Sequence, residues 1–194
     1  MGKGQSCVGQ MAKAVGADTI PVDIGINIKD TIPGVVSRKI RCGTRNFSKE
    51  PAMLESEAIR AMATGIDMAF WCKKAGYKIL ATGELGIGNT TTSSAAAAAL
   101  LKCEVSKVTG RGAGLNDTGL IRKQKVIEEA IQKYGLYHAD ALTILCTVGG
   151  LDIAGLAGLC VGGAMCRIPV VLDGVISMAV SYTHLRAHET AANL

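Results

Sequence analysis

Hydrophobic positions along this chain of 194 residues change rhythm several times. Short continuous apolar runs predict buried strands at residues 19–26, 77–82 and 168–172. Apolar residues three and four apart predict helices at 8–15, 52–74 and 117–134, the last amphipathic and basic on one side. An alanine-rich run predicts a further helix at 89–102, with Asn89 and Thr90 as its caps. Ser48 followed by Glu50 and Pro51 predicts the start of the 52–74 helix, because proline is tolerated in a first turn and a carboxylate suits its positive end. Its expected apolar face is Ala58, Ile59, Met62, Ile66, Met68, Ala69 and Phe70, and Gly76 ends it. Residues 27–48 read as a loop, and 105–114 as a strand or an extended loop.

Residues 141–165 are almost wholly apolar and long enough to imitate a membrane span. Gly149-Gly150 breaks the run and Asp152 sits inside it, so two buried helices, 140–147 and 151–165, are the better reading. Asp152 is expected to be buried and hydrogen-bonded, since an unpaired charge there would be costly. Strands alternating with helices imply an α/β fold: a three-layer, mostly parallel sheet with helices on both faces, Rossmann-like. Ligands of such sheets lie beyond the carboxyl ends of strands, and Glu84 and Asp173 both fall just past one.

Composition narrows the classes. With 48% hydrophobic and 19% charged residues, one globular domain over residues 1–180 is expected. The net charge of +5 is scattered, and its densest cluster, Arg38-Lys39-Ile40-Arg41, is short. Aromatics make up 4%, leaving few stacking platforms, so no nucleic-acid partner is expected. Seven cysteines without a CxxC pair argue against a disulfide framework or a zinc site and for buried, reduced thiols in a cytoplasmic protein. The start of the chain lacks the apolar core of a signal peptide. Residues 181–194 have no apolar periodicity and read as a non-native tail, which discounts His184 and His188 as a metal pair despite their helical spacing.

The densest chemistry is the stretch 81–92, ATGELGIGNTTT, between a predicted strand and a predicted helix. Glycines there let the backbone approach a ligand, and the helix start offers N–H groups to an anion. Neither the Walker A pattern nor Gly-x-Gly-x-x-Gly is present. Glu84 inside the loop suggests a partner other than phosphate: a ribose hydroxyl, a ring nitrogen or a proton in transit. Gly86 and Gly88 are candidates to present N–H groups, and Gly110 and Gly112 in GRGAG to form a second anion nest. Arg111 pairs with a phosphate or with a surface carboxylate.

These segments carry a family resemblance. GELGIGNTTT, RCGTRNFSKEPAM, GRGAGLNDTGLIRKQKVIEEA, VGGLDIAGLAG and RIPVVLDGVIS stand in one order along residues 17–179. Together they resemble the nicotinate-nucleotide–dimethylbenzimidazole phosphoribosyltransferases. The resemblance implies attack of a benzimidazole nitrogen on the ribose C1′ of nicotinate mononucleotide, with nicotinate leaving and no metal or other cofactor. It implies that Glu84 lies beside the nucleotide and that Lys123 reaches the 5′-phosphate, although Arg122 and Lys125 are its neighbours. Asn89, Thr90 and Asp173 complete the expected substrate site, with Asp173 mainly ordering the strand end. It also implies a homodimer; the broken apolar run at 141–165 already argues against a membrane partner. The family's general base is a glutamate in a GEGTGA segment that these residues lack, so the chain is expected to resemble the middle of the enzyme and to turn over poorly by itself. Nucleotide-monophosphate binding without turnover, or a different acceptor base, are the alternative readings.

Overall fold

The computed structural model describes residues 2–174, 176 and 177; the expected non-native tail with His184 and His188 lies outside them. Contacts divide the chain into two compact units, Met1–Gly43 and Thr44–Leu194.

In the smaller unit, α1 (Cys7–Ala14) is capped by Ser6, whose hydroxyl accepts from the Gly9 N–H at 3.2 Å. β1 (Val22–Asp23) pairs in parallel with β2 (Val36–Ser37), Val22 opposite Val36 and Asp23 opposite Ser37. The expected strand over 19–26 shrinks to those two residues, and the residue of that run that is fully buried is Asp23. Its carboxylate bends the chain: Oδ1 accepts from the Ile26 N–H at 2.9 Å. Oδ2 meets Lys39 Nζ at 2.8 Å, and Lys39 also donates to the carbonyls of Ile26 and Ile28 at 2.8 Å each.

The larger unit runs α2 (Glu55–Lys74), β3 (Leu80–Ala81), α3 (Asn89–Leu101), α4 (Val105–Val108), α5 (Asp117–Tyr134), a 3₁₀ turn at Leu136–His138, α6 (Ala141–Val148), α7 (Leu151–Met165) and β4 (Val170–Val171). β3 and β4 are parallel, Leu80 opposite Val170 and Ala81 opposite Val171. Helices with short parallel strands make this an α/β fold, in two separate two-stranded pairs. The expected strands at 77–82 and 168–172 are present only at their centres.

Three expectations need correction. α2 starts at Glu55, later than the Ser48–Pro51 signal, because residues 52 and 53 are used elsewhere. The Ala52 and Met53 N–H groups bond the carbonyls of Thr147 and Cys146, and both side chains are buried. Leu54 then becomes the cap position, with its N–H donating to Glu57, which Arg45 also holds. The buried face of α2 is the small-residue stripe Ala58, Ala61, Gly65, Met68, Ala69 and Cys72, while Ile59 and Phe70 are 48% and 43% exposed. The cause is α7, whose backbone touches α2 directly. A Cβ on Gly158 would collide with the Met62 carbonyl oxygen, and one on Gly65 with the Gly155 carbonyl oxygen. Residues 105–108 form a short helix rather than a strand or extended loop.

The two apolar helices expected at 140–147 and 151–165 are observed as α6 and α7, separated by Gly149-Gly150. No described helix is long and apolar enough to cross a membrane. The five alanines of α3 are all buried, because α4, α5 and α6 pack around it. Of the cysteines, Cys72 is buried, Cys7 and Cys42 are exposed and the rest are half-buried, so the expected burial holds at one position.

Candidate active site

The parallel pairing of β3 and β4 brings their carboxyl ends side by side, and the loop that follows β3 starts there. Thr82, buried, fixes the join. Its hydroxyl accepts from the Asp173 N–H at 3.0 Å and lies 3.0 Å from the buried Ser177 hydroxyl. Asp173 thus orders the strand end through its backbone, while its side chain is exposed.

The loop then turns into α3 at Gly88, which has φ of +81°, a left-handed conformation that suits glycine. Glu84 folds back over this turn. Its Oε2 accepts from the Gly86 N–H at 2.9 Å and from the Asn89 side-chain amide. The same Asn89 Nδ2 donates to Asp152 Oδ2 at 2.9 Å, and Asp152 Oδ1 accepts from the Ile153 N–H at 2.9 Å. One buried amide therefore spans two carboxylates, one from the glycine loop and one from the first turn of α7. Gly86 permits this closeness: a Cβ there would stand 2.5 Å from Asn89 Nδ2 and 2.7 Å from Asp152 Oδ2.

On the other side of the α3 start lies Lys123. It sits on the buried stripe of α5 with Ile127, Ala130 and Ile131, whereas Arg122 is exposed and Lys125 lies off that stripe with an ion pair to Glu129. Its ammonium donates to the Thr90 hydroxyl at 2.9 Å and to the Gly110 carbonyl at 3.0 Å. Among the described residues no carboxylate is within ion-pair distance of it. Burial pushes its pKa down, the signature of a charge without a compensating partner. Gly112 packs against Thr90 with φ of +60°.

The expected site residues thus gather into two groups that share the first turn of α3. Glu84, Gly86 and Asn89 form one, joined by Asp152; Thr90, Gly110, Gly112 and Lys123 form the other. Gly88 is the hinge between them, and Asp173 lies behind the loop at the strand ends. Two details differ from expectation. Asn89 and Thr90 do not cap α3 through their side chains, because each is engaged elsewhere, and Gly88 takes the cap position. Gly110 turns its carbonyl toward Lys123, so the GRGAG loop supplies an acceptor at that point. Of the two partners left open for Arg111, the surface carboxylate is the one observed: Arg111 pairs with Asp117 and donates to the Leu115 carbonyl at 3.0 Å. Asp152 is half-buried and bonded, and nothing in the local sequence ties it to the site. Thr82 carries no such signal. Among the described residues no group of three or more His, Cys, Asp or Glu side chains is arranged to hold a metal ion.

The phosphoribosyltransferase family model matches residues 1–193. The nicotinate-nucleotide–dimethylbenzimidazole phosphoribosyltransferase of Clostridium perfringens strain 13 is 44% identical over 179 residues, 92% of this chain and 50% of the relative. That of Geobacter metallireducens is 47% identical over 91% of this chain and 50% of the relative. The crystal structure of CobT from Thermus thermophilus superimposes with a TM-score of 0.88 at 33% identity, covering 94% of this chain and 55% of that one. The chain spans about half the length of the curated relatives it matches. By sequence and by fold it belongs to the phosphoribosyltransferase family whose curated members are named nicotinate-nucleotide–dimethylbenzimidazole phosphoribosyltransferase.

Proposed function

We propose that this chain supplies the nucleotide half of the active site for transfer of the 5-phosphoribosyl group of nicotinate mononucleotide to 5,6-dimethylbenzimidazole, giving α-ribazole 5′-phosphate and nicotinate. The observation that carries this reading is the buried, uncompensated Lys123 beside the α3 start, over which Glu84 of the preceding loop also folds. A 5′-phosphate placed at Lys123 completes an ion pair that the fold leaves open. The ribose then extends across the first turn of α3 toward Glu84, whose second oxygen can accept from a sugar hydroxyl. Holding both ends of the nucleotide aligns C1′ for displacement with inversion. The benzimidazole nitrogen forms its bond to C1′ as the C1′–nicotinate bond breaks, and that electron pair neutralises the pyridinium ring. The N–H proton of the acceptor goes to a base, which the resemblance assigns to a glutamate in a segment these residues do not contain. The three-layer sheet, the homodimer and the cytoplasmic setting of the family belong to this same reading.

Calorimetric titration of nicotinate mononucleotide into the chain tests it, with Lys123→Ala and Glu84→Gln beside the wild type. Binding that weakens in both variants is expected. Absence of binding, or equal affinity in all three proteins, overturns the reading.

A further inference from the structure

The geometry points to Asp152 as a positioning residue: acting through Asn89, it holds Glu84 in place against the ribose of the bound nucleotide. This rests on the nucleotide-site reading above.

Glu84 sits in a loop whose other side chains give it little support, since Leu85 and Ile87 are 82% and 108% exposed. A glutamate on such a loop has free rotamers, and fixing it costs entropy at each binding event. Two donors fix it here, the Gly86 N–H and the Asn89 amide. The first belongs to the same loop and moves with it. The second is anchored, because Asn89 is 7% exposed at the start of the buried helix α3.

An amide group can rotate, however, and needs its own restraint. Asp152 Oδ2 supplies this from α7, and Asp152 is restrained in turn by the Ile153 N–H on its other oxygen. Both carboxylate oxygens are thus used as acceptors. An asparagine at 152 has one acceptor oxygen, so it must give up one of the two bonds. The backbone is shaped around this carboxylate as well. A Cβ on Gly86 would stand 2.7 Å from Oδ2, and one on Gly150 2.5 Å from Oδ1. Two glycines on separate segments leave room for one carboxylate that, as a bare helix-start residue, would need none.

Nicotinate mononucleotide and inorganic phosphate serve as the two probes, because phosphate samples the Lys123 end alone. Asp152→Asn is expected to weaken nicotinate mononucleotide about tenfold, the worth of one lost charge-assisted hydrogen bond, and to leave phosphate affinity unchanged. The double variant Asp152→Asn/Glu84→Gln is expected to bind no more weakly than Glu84→Gln, since the two act in series. Gly86→Ala, which crowds the same amide from an exposed loop, serves as a second route to the same loss should Asp152→Asn fold poorly. Wild-type binding with additive losses in the double variant, or with equal losses for both probes, overturns the positioning role and leaves the nucleotide reading intact. Failure of the wild type to bind nicotinate mononucleotide overturns both.

Discussion

The two units each hold one lysine ammonium away from open solvent, and they do so in opposite ways. Lys39 in the smaller unit is fully engaged: its ammonium donates to two backbone carbonyls and is ion-paired with the carboxylate of Asp23, all at 2.8 Å. Lys123 in the larger unit has two neutral acceptors, Thr90 and Gly110, and among the described residues no carboxylate at ion-pair distance. A closed ion pair straps loops together and has nothing left to offer a ligand. An ammonium that is buried but not neutralised is a standing electrostatic cost, and that cost is recovered when an anion arrives. The same residue type is therefore structural in one unit and ligand-seeking in the other, and the difference lies in the acceptors rather than in the lysine.

The largest effect is expected from breaking the closed pair. Lys39→Met leaves Asp23, 2% exposed, without its counter-charge and should cost the smaller unit about 2–4 kcal/mol, read by denaturant unfolding or by hydrogen exchange of residues 22–40. The equivalent change in the larger unit should separate stability from binding. Lys123→Met is expected to leave stability equal or slightly raised, since it removes a desolvated charge, while nicotinate mononucleotide affinity falls about 100-fold. A loss of stability as large as that of Lys39→Met would erase the contrast.

The pH dependence should have the same sign in both units but fall in different windows, acid for one and alkaline for the other. Burial raises the Asp23 carboxyl, but Lys39 and the N–H groups of Ile26 and Gly25 outweigh it, and its pKa is lowered overall. Its stabilisation is present above its unfolded pKa and is lost as pH falls through the lower folded value, so the smaller unit should weaken in acid. Lys123 is lowered by burial, so between its folded value and its higher unfolded value the unfolded chain holds more protons. The larger unit should gain stability as pH rises through that alkaline window. Urea unfolding at several pH values, followed separately for each unit, reads both arms. The smallest effect is expected from Thr90→Val, which removes one neutral acceptor of Lys123. It should cost about threefold in nucleotide affinity if the hydroxyl only orients the ammonium.

The larger unit's side of the contrast was partly legible in the sequence, whereas the Lys39–Asp23 pair of the smaller unit was not. The helix at 117–134 was visible to the residue, but its basic side alone did not separate Lys123 from Arg122 and Lys125. Packing separates them, because α5 turns only Lys123 inward with Ile127, Ala130 and Ile131. Glu84 stood out as a carboxylate in a glycine loop. The break of the apolar run at Gly149-Gly150 was readable because a glycine pair interrupts a helix and an acidic residue is costly within a membrane span. Strand lengths were overestimated, because pairing depends on a partner that local patterning cannot supply. The buried face of α2 was misread for a similar reason. Large apolar residues at 59 and 70 look like core until α7 is known to approach with bare glycine backbone, which leaves room for small residues. The Asn89–Asp152 contact joins residues 63 positions apart, and no local pattern announces it.

The central claim is that Lys123 is the anion's partner. Calorimetry in buffers of different ionisation enthalpy, with nicotinate mononucleotide added under alkaline conditions where Lys123 has begun to lose its proton, tests this most directly. An anion bound to this ammonium must raise its pKa, so binding should take up protons, and the uptake should vanish in Lys123→Met along with most of the affinity. Binding without proton uptake, or uptake that persists in Lys123→Met, would contradict the account.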